Sequence, residues 1–362
     1  MKTTRVKIIY ALLALAVVLG LLAALVYLRR RPADFLSSEA DYYAADETAG
    51  HVHRPYARRE YAWAEHEKGR IVFRTNNLGF REDEDTEVTK SERAVRVLVT
   101  GDSHTDGVVY NAESFPNLLE RKLNSTPGAH RFEVINGGVG YYTFQNYAGF
   151  LQKYIYLKPD YFVVTVYLGN DFMEAVAAAA KRGQLSPPGT PLWHRLKLRL
   201  TPPPVVSQGL NQIVYFKTSP RMKDEALEIA RRELQTINEI CLQNGIRLRV
   251  LFLPTKWDVE EVGHTQQEKS RFDLTDAEAN VHQALKESLT LWLERRNVKY
   301  LDLTAHMRGK NVSLFWDRDY HLNAKGHELV ADVLYIHADW SEALSTSPNL
   351  STINSERHDM RR

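Results

Sequence analysis

The 362-residue chain is long enough for one large domain with insertions or two small ones, and its 44% apolar content excludes a disordered polymer. The formal charge of +2 misleads, because Lys2, Arg5, Lys7, Arg29, Arg30 and Arg31 lie in a leading segment without acids, which leaves 41 basic against 45 acidic residues. That balance offers no basic stripe for nucleic acid, and the single cysteine, Cys241, excludes an intrachain disulfide and any multi-cysteine metal site.

The first element in chain order is Ile8 to Leu28, an uncharged stretch of 21 residues. At the helical rise it reaches about 31 Å, the thickness of a hydrocarbon layer, and predicts a single-pass membrane anchor. A cleaved signal peptide would normally have a shorter apolar region followed by small residues, whereas VYLRRRP follows here. Basic residues on both flanks leave the orientation open, but a long domain after a start-proximal anchor is expected outside the cytosol. Residues 32–93 form a polar, Tyr/Arg-rich lead-in, in which RIVFRTNNLGFR (70–81) resembles a short hairpin around Asn76, Asn77 and Gly79.

From residue 94 the pattern changes. Five β-rich apolar runs, AVRVLVT, RFEVIN, YFVVTVY, RLRVLFL and VKYLDL, alternate with helical periodicity near 114–124, 144–157, 224–244, 278–296 and 324–338. Runs apolar on both faces, alternating with amphipathic helices, predict an α/β fold: a three-layer sandwich with a central, mostly parallel sheet over residues 94–340. Cys241 falls on the apolar face Leu227, Ala230, Leu234, Ile237 and is expected in the core. The interval 174–222, with its SPPGTP and TPPPVV runs, is expected to be an insertion over the sheet, and 341–362 a mobile tail.

The first three proposed strands each run into a glycine-bearing polar cluster: Gly101-Asp102-Ser103, Gly137-Gly138-Val139-Gly140 and Leu168-Gly169-Asn170-Asp171. In a parallel sheet all carboxyl ends share one edge, so clusters far apart in sequence become neighbours there. A serine at a strand-to-helix turn suits a nucleophile, and the Ser103 N–H, the Gly140 N–H and the Asn170 amide are candidate donors to the oxyanion of acyl transfer. The base is expected from WDRDYHLNAKGHEL: His321 takes the Ser103 proton while Asp319 orients the imidazole. Asp102 is expected to anchor the turn, Asn323 to cap the last helix, Asp171 to hold its loop and His327 to be structural, while His104 either shapes the acyl pocket or only packs.

These blocks resemble the SGNH hydrolase superfamily, the GDSL-type lipases and acylhydrolases: Gly101-Asp102-Ser103, Gly140, Gly169-Asn170-Asp171 and Asp319/His321 occur in the family's order, and NNLGFR and HLNAKGH resemble members among bacterial envelope proteins. The resemblance covers roughly residues 70–340. Two departures stand out: Arg318 occupies the place where the family often has its aspartate, so Asp319 or Asp317 must serve, and Tyr141 competes with Gly140 for the second block. The resemblance implies an esterase or O-acyltransferase working through an acyl-enzyme without cofactor or metal. Its implied substrate is an O-acetylated envelope polysaccharide, with a lipid ester next, and its implied location is the periplasmic side of a bacterial inner membrane.

Three other readings compete. An inactive relative would bind a glycan or a partner protein. A metal-dependent phosphoesterase would use Asp102, His104, Asp106, Asn170 and His321 as ligands, but Asp171 stands where that class has a histidine after Gly-Asn. A nucleotide site at GGVGYYT lacks its third glycine.

Overall fold

The computed structural model describes residues 15, 17–20, 39–125, 130–186, 192, 193, 196, 208–260 and 265–340. The expected anchor lies outside them except for residues 15 and 17–20, which are helical, and among the described residues no helix is long and apolar enough to cross a membrane. The expected tail at 341–362 and most of 187–207 also lie outside the described residues.

Two antiparallel hairpins precede the main sheet: β1 (Tyr43–Asp46) with β2 (Gly50–His53), and β3 (Arg58–Ala62) with β4 (Arg70–Arg74). The hairpin expected within residues 70–81 is therefore corrected, because β4 pairs upstream with β3. The Asn76 side chain explains the bend that follows: its Oδ1 accepts from the N–H groups of Leu78 (3.0 Å) and Phe80 (3.1 Å), and Gly79 supplies φ 82°. That turn competes with any strand pairing downstream.

The central sheet comprises β5 (Ala94–Gly101), β6 (Arg131–Gly138), β7 (Tyr161–Tyr167), β8 (Arg247–Leu253) and β9 (Lys299–Asp302). Every pairing is parallel, in the order β6-β5-β7-β8-β9. Alternate residues serve opposite faces: Val97, Val99, Tyr161 and Val163 enter one buried cluster, while Leu98, Phe162, Val164 and Val166 enter the other. Each such aliphatic or aromatic side chain contributes about 1.5–3 kcal/mol by leaving water, which is why these strands read as unbroken apolar runs.

Eight helices position the site. In chain order they are α1 (Ser103–Asp106), α2 (Phe115–Leu123), α3 (Phe144–Tyr154), α4 (Asp171–Lys181), α5 (Gln208–Thr218), α6 (Arg221–Gln243), α7 (Val281–Glu294) and α8 (Ala324–His337). Helices α2 and α8 cover one face of the sheet; α3, α4, α6 and α7 cover the other, with Cys241 of α6 buried and its thiol pushed up to about 12 by that burial. Because β5 leads through α2 to β6 on one side, and the chain then returns through α3 on the other face to β7, the strand order reverses between β5 and β7. Ligands bind at such a reversal, beyond the carboxyl ends of the strands.

Candidate active site

Ser103 opens α1 directly after β5. Asp102 caps that single turn by accepting the His104 N–H at 2.9 Å through Oδ1, and the Gly107 N–H returns to the Ser103 carbonyl at 2.9 Å. Burial pushes the Asp102 carboxyl up to about 6 despite that hydrogen bond. The turn sits hard against β6: a Cβ on Gly138 would lie 2.2 Å from the Asp106 nitrogen, so only glycine allows this approach.

The imidazole arrives from the loop before α8. Asn323 caps α8 by accepting the Gly326 N–H at 3.0 Å, and Phe315 and Leu322 form an antiparallel bridge that closes the loop. Tyr320, at φ 64°, takes a backbone conformation unfavourable for a residue with a Cβ, and it turns the chain back immediately before His321. The Ser103 Oγ stands 2.8 Å from His321 Nε2 across 218 positions of sequence. On the other side of the ring His321 Nδ1 lies 2.9 Å from Asp319 Oδ2, while Asp319 Oδ1 accepts the His321 backbone N–H at 3.1 Å. Asp317 points elsewhere, bound to Lys256 Nζ at 2.8 Å. The His104 ring stands between Tyr167 (centroids 3.8 Å apart) and His321 (4.7 Å), and its Nδ1 accepts the Leu322 N–H at 3.4 Å. It thus packs under the imidazole rather than joining the row of hydrogen bonds.

Burial alone would pull the His321 imidazolium down, but the charge and hydrogen bond of Asp319, with Asp102 and Asp106 nearby, outweigh it and hold the ring above its ordinary value. If His321 is the base, it works only when neutral. The acid limb of kcat/KM is then expected at a pH above the ordinary histidine value of about 6.5, and Asp319→Asn moves that limb downward.

The three expected oxyanion donors line one cavity of about 260 Å³ together with Asp319 and His321. Two of them are engaged with carboxylates. The Gly140 N–H donates to Asp106 Oδ2 at 3.3 Å, and Asn170 Nδ2 donates to Glu174 Oε1 at 2.9 Å. Burial and the neighbouring Asp102 push Glu174 up to about 7, so its charge, and hence its grip on the Asn170 amide, weakens near neutral pH. Tyr141, two-thirds exposed and at φ 67°, stands at the cavity beside Gly140.

The lead-in supplies a wall of this cavity that sequence reading missed: Tyr43, Arg59, Tyr61, Trp63 and Phe73 all line it. Behind them lies a buried charge network in which Arg81 donates to Asp106 (2.7 Å), Asn111 (2.9 Å) and the Val109 carbonyl (2.9 Å), while His53 Nε2 meets Asp106 at 3.2 Å. Arg81 is fully buried, so Arg81→Met leaves the Asp106 carboxylate without its permanently charged partner, with only His53 beside it. It is expected to cost about 3–5 kcal/mol in urea unfolding. Arg58, exposed and paired with Glu60 at 2.8 Å, is the control, and its replacement by alanine should cost no more than about 1 kcal/mol.

The remaining singled-out residues hold structure. Asp171 Oδ2 accepts from the Tyr147 hydroxyl at 2.8 Å and the Tyr167 N–H at 3.0 Å. His327 accepts the Phe115 N–H at 3.2 Å, tying α8 to α2, and burial takes its pKa down to about 3. Among the described residues no group of three or more His, Cys, Asp or Glu side chains could hold a metal ion.

Comparison with known proteins gives a family match and a set of similar solved structures. The family model described as GDSL-like Lipase/Acylhydrolase family matches residues 99–329. Among solved structures, a putative lipolytic protein of the G-D-S-L family from Desulfitobacterium hafniense is similar at 17% identity and TM-score 0.39, covering 67% of this chain and 98% of its own. The acetyl xylan esterase AlAXEase is similar at 15% identity and TM-score 0.38, with coverages of 68% and 100%. A catalytic mutant of Axe2, an acetylxylan esterase from Geobacillus stearothermophilus, is similar at 14% identity and TM-score 0.42, with coverages of 70% and 98%. No curated protein matches the chain.

Proposed function

Because the chain belongs to the GDSL-like lipase/acylhydrolase family, we propose that it is a serine esterase or O-acyltransferase acting on an O-acetylated glycan through an acyl-enzyme. Ser103 Oγ attacks the ester carbonyl and passes its proton to His321 Nε2. The carbon–alkoxy bond then breaks, and the imidazolium returns the proton to the departing alcohol oxygen. In the second half, water or a sugar hydroxyl gives its proton to His321 and attacks the acyl carbon, the bond to Ser103 breaks, and the serine recovers its proton. Asp319 keeps Nδ1 protonated and stabilises the imidazolium between transfers.

Negative charge on the carbonyl oxygen falls to the Ser103 N–H and the Asn170 amide, with the Gly140 N–H once it is released from Asp106. Each such donor is worth about 3 kcal/mol of barrier. The single observation that carries the proposal is the 2.8 Å contact between Ser103 Oγ and His321 Nε2, continued at 2.9 Å to Asp319. A cavity of about 260 Å³ suits a short acyl group.

Hydrolase and transferase share these steps and differ only in the acceptor. Full-length protein is given a short-chain acetyl ester with and without an added glycan. Acetate release unaffected by glycan identifies a hydrolase, acetyl appearing on the glycan identifies a transferase, and no Ser103-dependent release of the ester's alcohol in either case rejects the proposal.

We further propose that residues 8–28 anchor the domain to a bacterial inner membrane with residues 94–340 on the periplasmic side. The 21-residue uncharged run supports this. The chain should stay with the membrane fraction after a high-salt and carbonate wash, and removal of residues 1–31 should release it. Extraction of the intact chain by carbonate would contradict the anchor.

A further inference from the structure

Asn170 stands immediately before α4, where an asparagine normally caps a helix by accepting an N–H of the first turn. Here its side chain makes no such bond. One donor it would take, the Met173 N–H, goes instead to Gln212 Oε1 of α5 at 3.0 Å, and Asn170 Oδ1 is buried without a hydrogen-bond donor among the described residues. The amide is left for the cavity, which it lines with Ser103, Glu174 and His321.

The two ends of a primary amide are nearly the same size, so packing alone does not choose between them. The choice matters, because the NH2 end attracts an oxyanion and the carbonyl end repels it. Glu174 makes that choice. It sits one turn into α4, where its backbone N–H donates to the Asn170 carbonyl at 2.8 Å, and its Oε1 accepts from Asn170 Nδ2 at 2.9 Å. An ionised carboxylate only accepts, so turning the amide over would set oxygen against oxygen. Nδ2 carries two hydrogens, and Glu174 takes one of them. Resting on the proposed esterase chemistry, we infer that Glu174 is a positioning residue that fixes which end of the Asn170 amide meets the reacting carbonyl oxygen, leaving the second N–H of Nδ2 for the transition state.

The test follows Ser103-dependent release of the alcohol from a neutral aryl acetate by full-length protein at about pH 8.5, where Glu174, pushed up to about 7, is ionised. Glu174→Met removes the acceptor at similar size and should lower kcat and kcat/KM alike, by about tenfold, because the oxyanion exists only in the transition state. Glu174→Gln should fall between, since its carbonyl end still accepts from Nδ2 while its own NH2 end can turn the Asn170 amide over. Asn170→Ala should lose about 10²–10³-fold, and adding Glu174→Met to it should cost nothing more, because no amide remains to be oriented. Losses that multiply in the double variant overturn the proposal, as does a wild-type kcat in Glu174→Met or a change confined to KM. If Glu174→Met does not fold, Glu174→Gln gives the same readings alone and on Asn170→Ala, with wild-type kcat or multiplying losses again overturning the proposal. No Ser103-dependent turnover by wild type is a different outcome, which sinks the esterase proposal itself and the positioning role with it.

Discussion

Ser103→Ala is expected to lower kcat/KM for a short-chain acetyl ester by about 10⁴-fold or more, leaving only what binding and oxyanion donors supply over water. The hydroxyl is the atom that becomes bonded to the acyl group, so no neighbour compensates for its loss. Tyr141 is two-thirds exposed, and His104 is already bound to the Leu322 N–H. His321→Ala should do equal damage, and Ser103→Ala combined with His321→Ala should be little worse than either alone, because the two groups act in one proton transfer. Folding should be unaffected in Ser103→Ala, since Asp102 and the Gly107 N–H hold the turn through the capping carboxylate and the Ser103 backbone. Steady-state kinetics beside urea unfolding checks both halves. Single-mutant losses that multiply would mean that the two residues do not share a step.

The second large effect separates two aspartates two residues apart. Asp319→Ala is expected to reduce kcat by about 10²–10⁴-fold, because His321 loses the acceptor that fixes its tautomer at Nδ1. Asp317→Ala should keep nearly full activity: its carboxylate, mostly exposed, is bound to Lys256 instead. The family's usual aspartate position is Arg318 here, so the variant pair asks whether the displaced residue does the orienting. In Asp319→Ala the acid limb of the pH profile should also move down, since the group that raises the imidazole is gone. Full activity in Asp319→Ala together with loss in Asp317→Ala would require a different loop conformation from the one described.

The sheet was legible because its strands are buried on both faces, and YFVVTVY and VRVLV can hardly be anything else. Because all carboxyl ends of a parallel sheet share one edge, residues 103, 140 and 170 were expected to be neighbours there. Asn323 as a helix cap was legible from residue type and position alone.

The lead-in was not, for a physical reason. Its four strands are four or five residues long and mix Arg, Glu and His with aromatics, so neither length nor hydropathy marks them. The alternation Arg59, Tyr61, Trp63 was the available signal, one face of a strand, but Arg59 is buried only because Phe73 and the cavity wall meet it in three dimensions. The same holds for Arg81, whose exposed-looking position after NNLGF conceals a side chain whose hydrogen bonds all run inward to Asp106, Asn111, Gly107 and Val109. Nor could spacing show that the Gly140 N–H is held by Asp106, since that contact joins two different strand ends.

The most direct measurement is covalent labelling of the full-length protein with a serine-directed fluorophosphonate, read by peptide mass spectrometry. A nucleophilic Ser103 activated by His321 should take one phosphonyl group on the peptide containing GDSHTDG, with no labelling after His321→Ala. An unlabelled Ser103 in folded protein, or a label that persists at residue 103 when the imidazole is removed, would contradict the account.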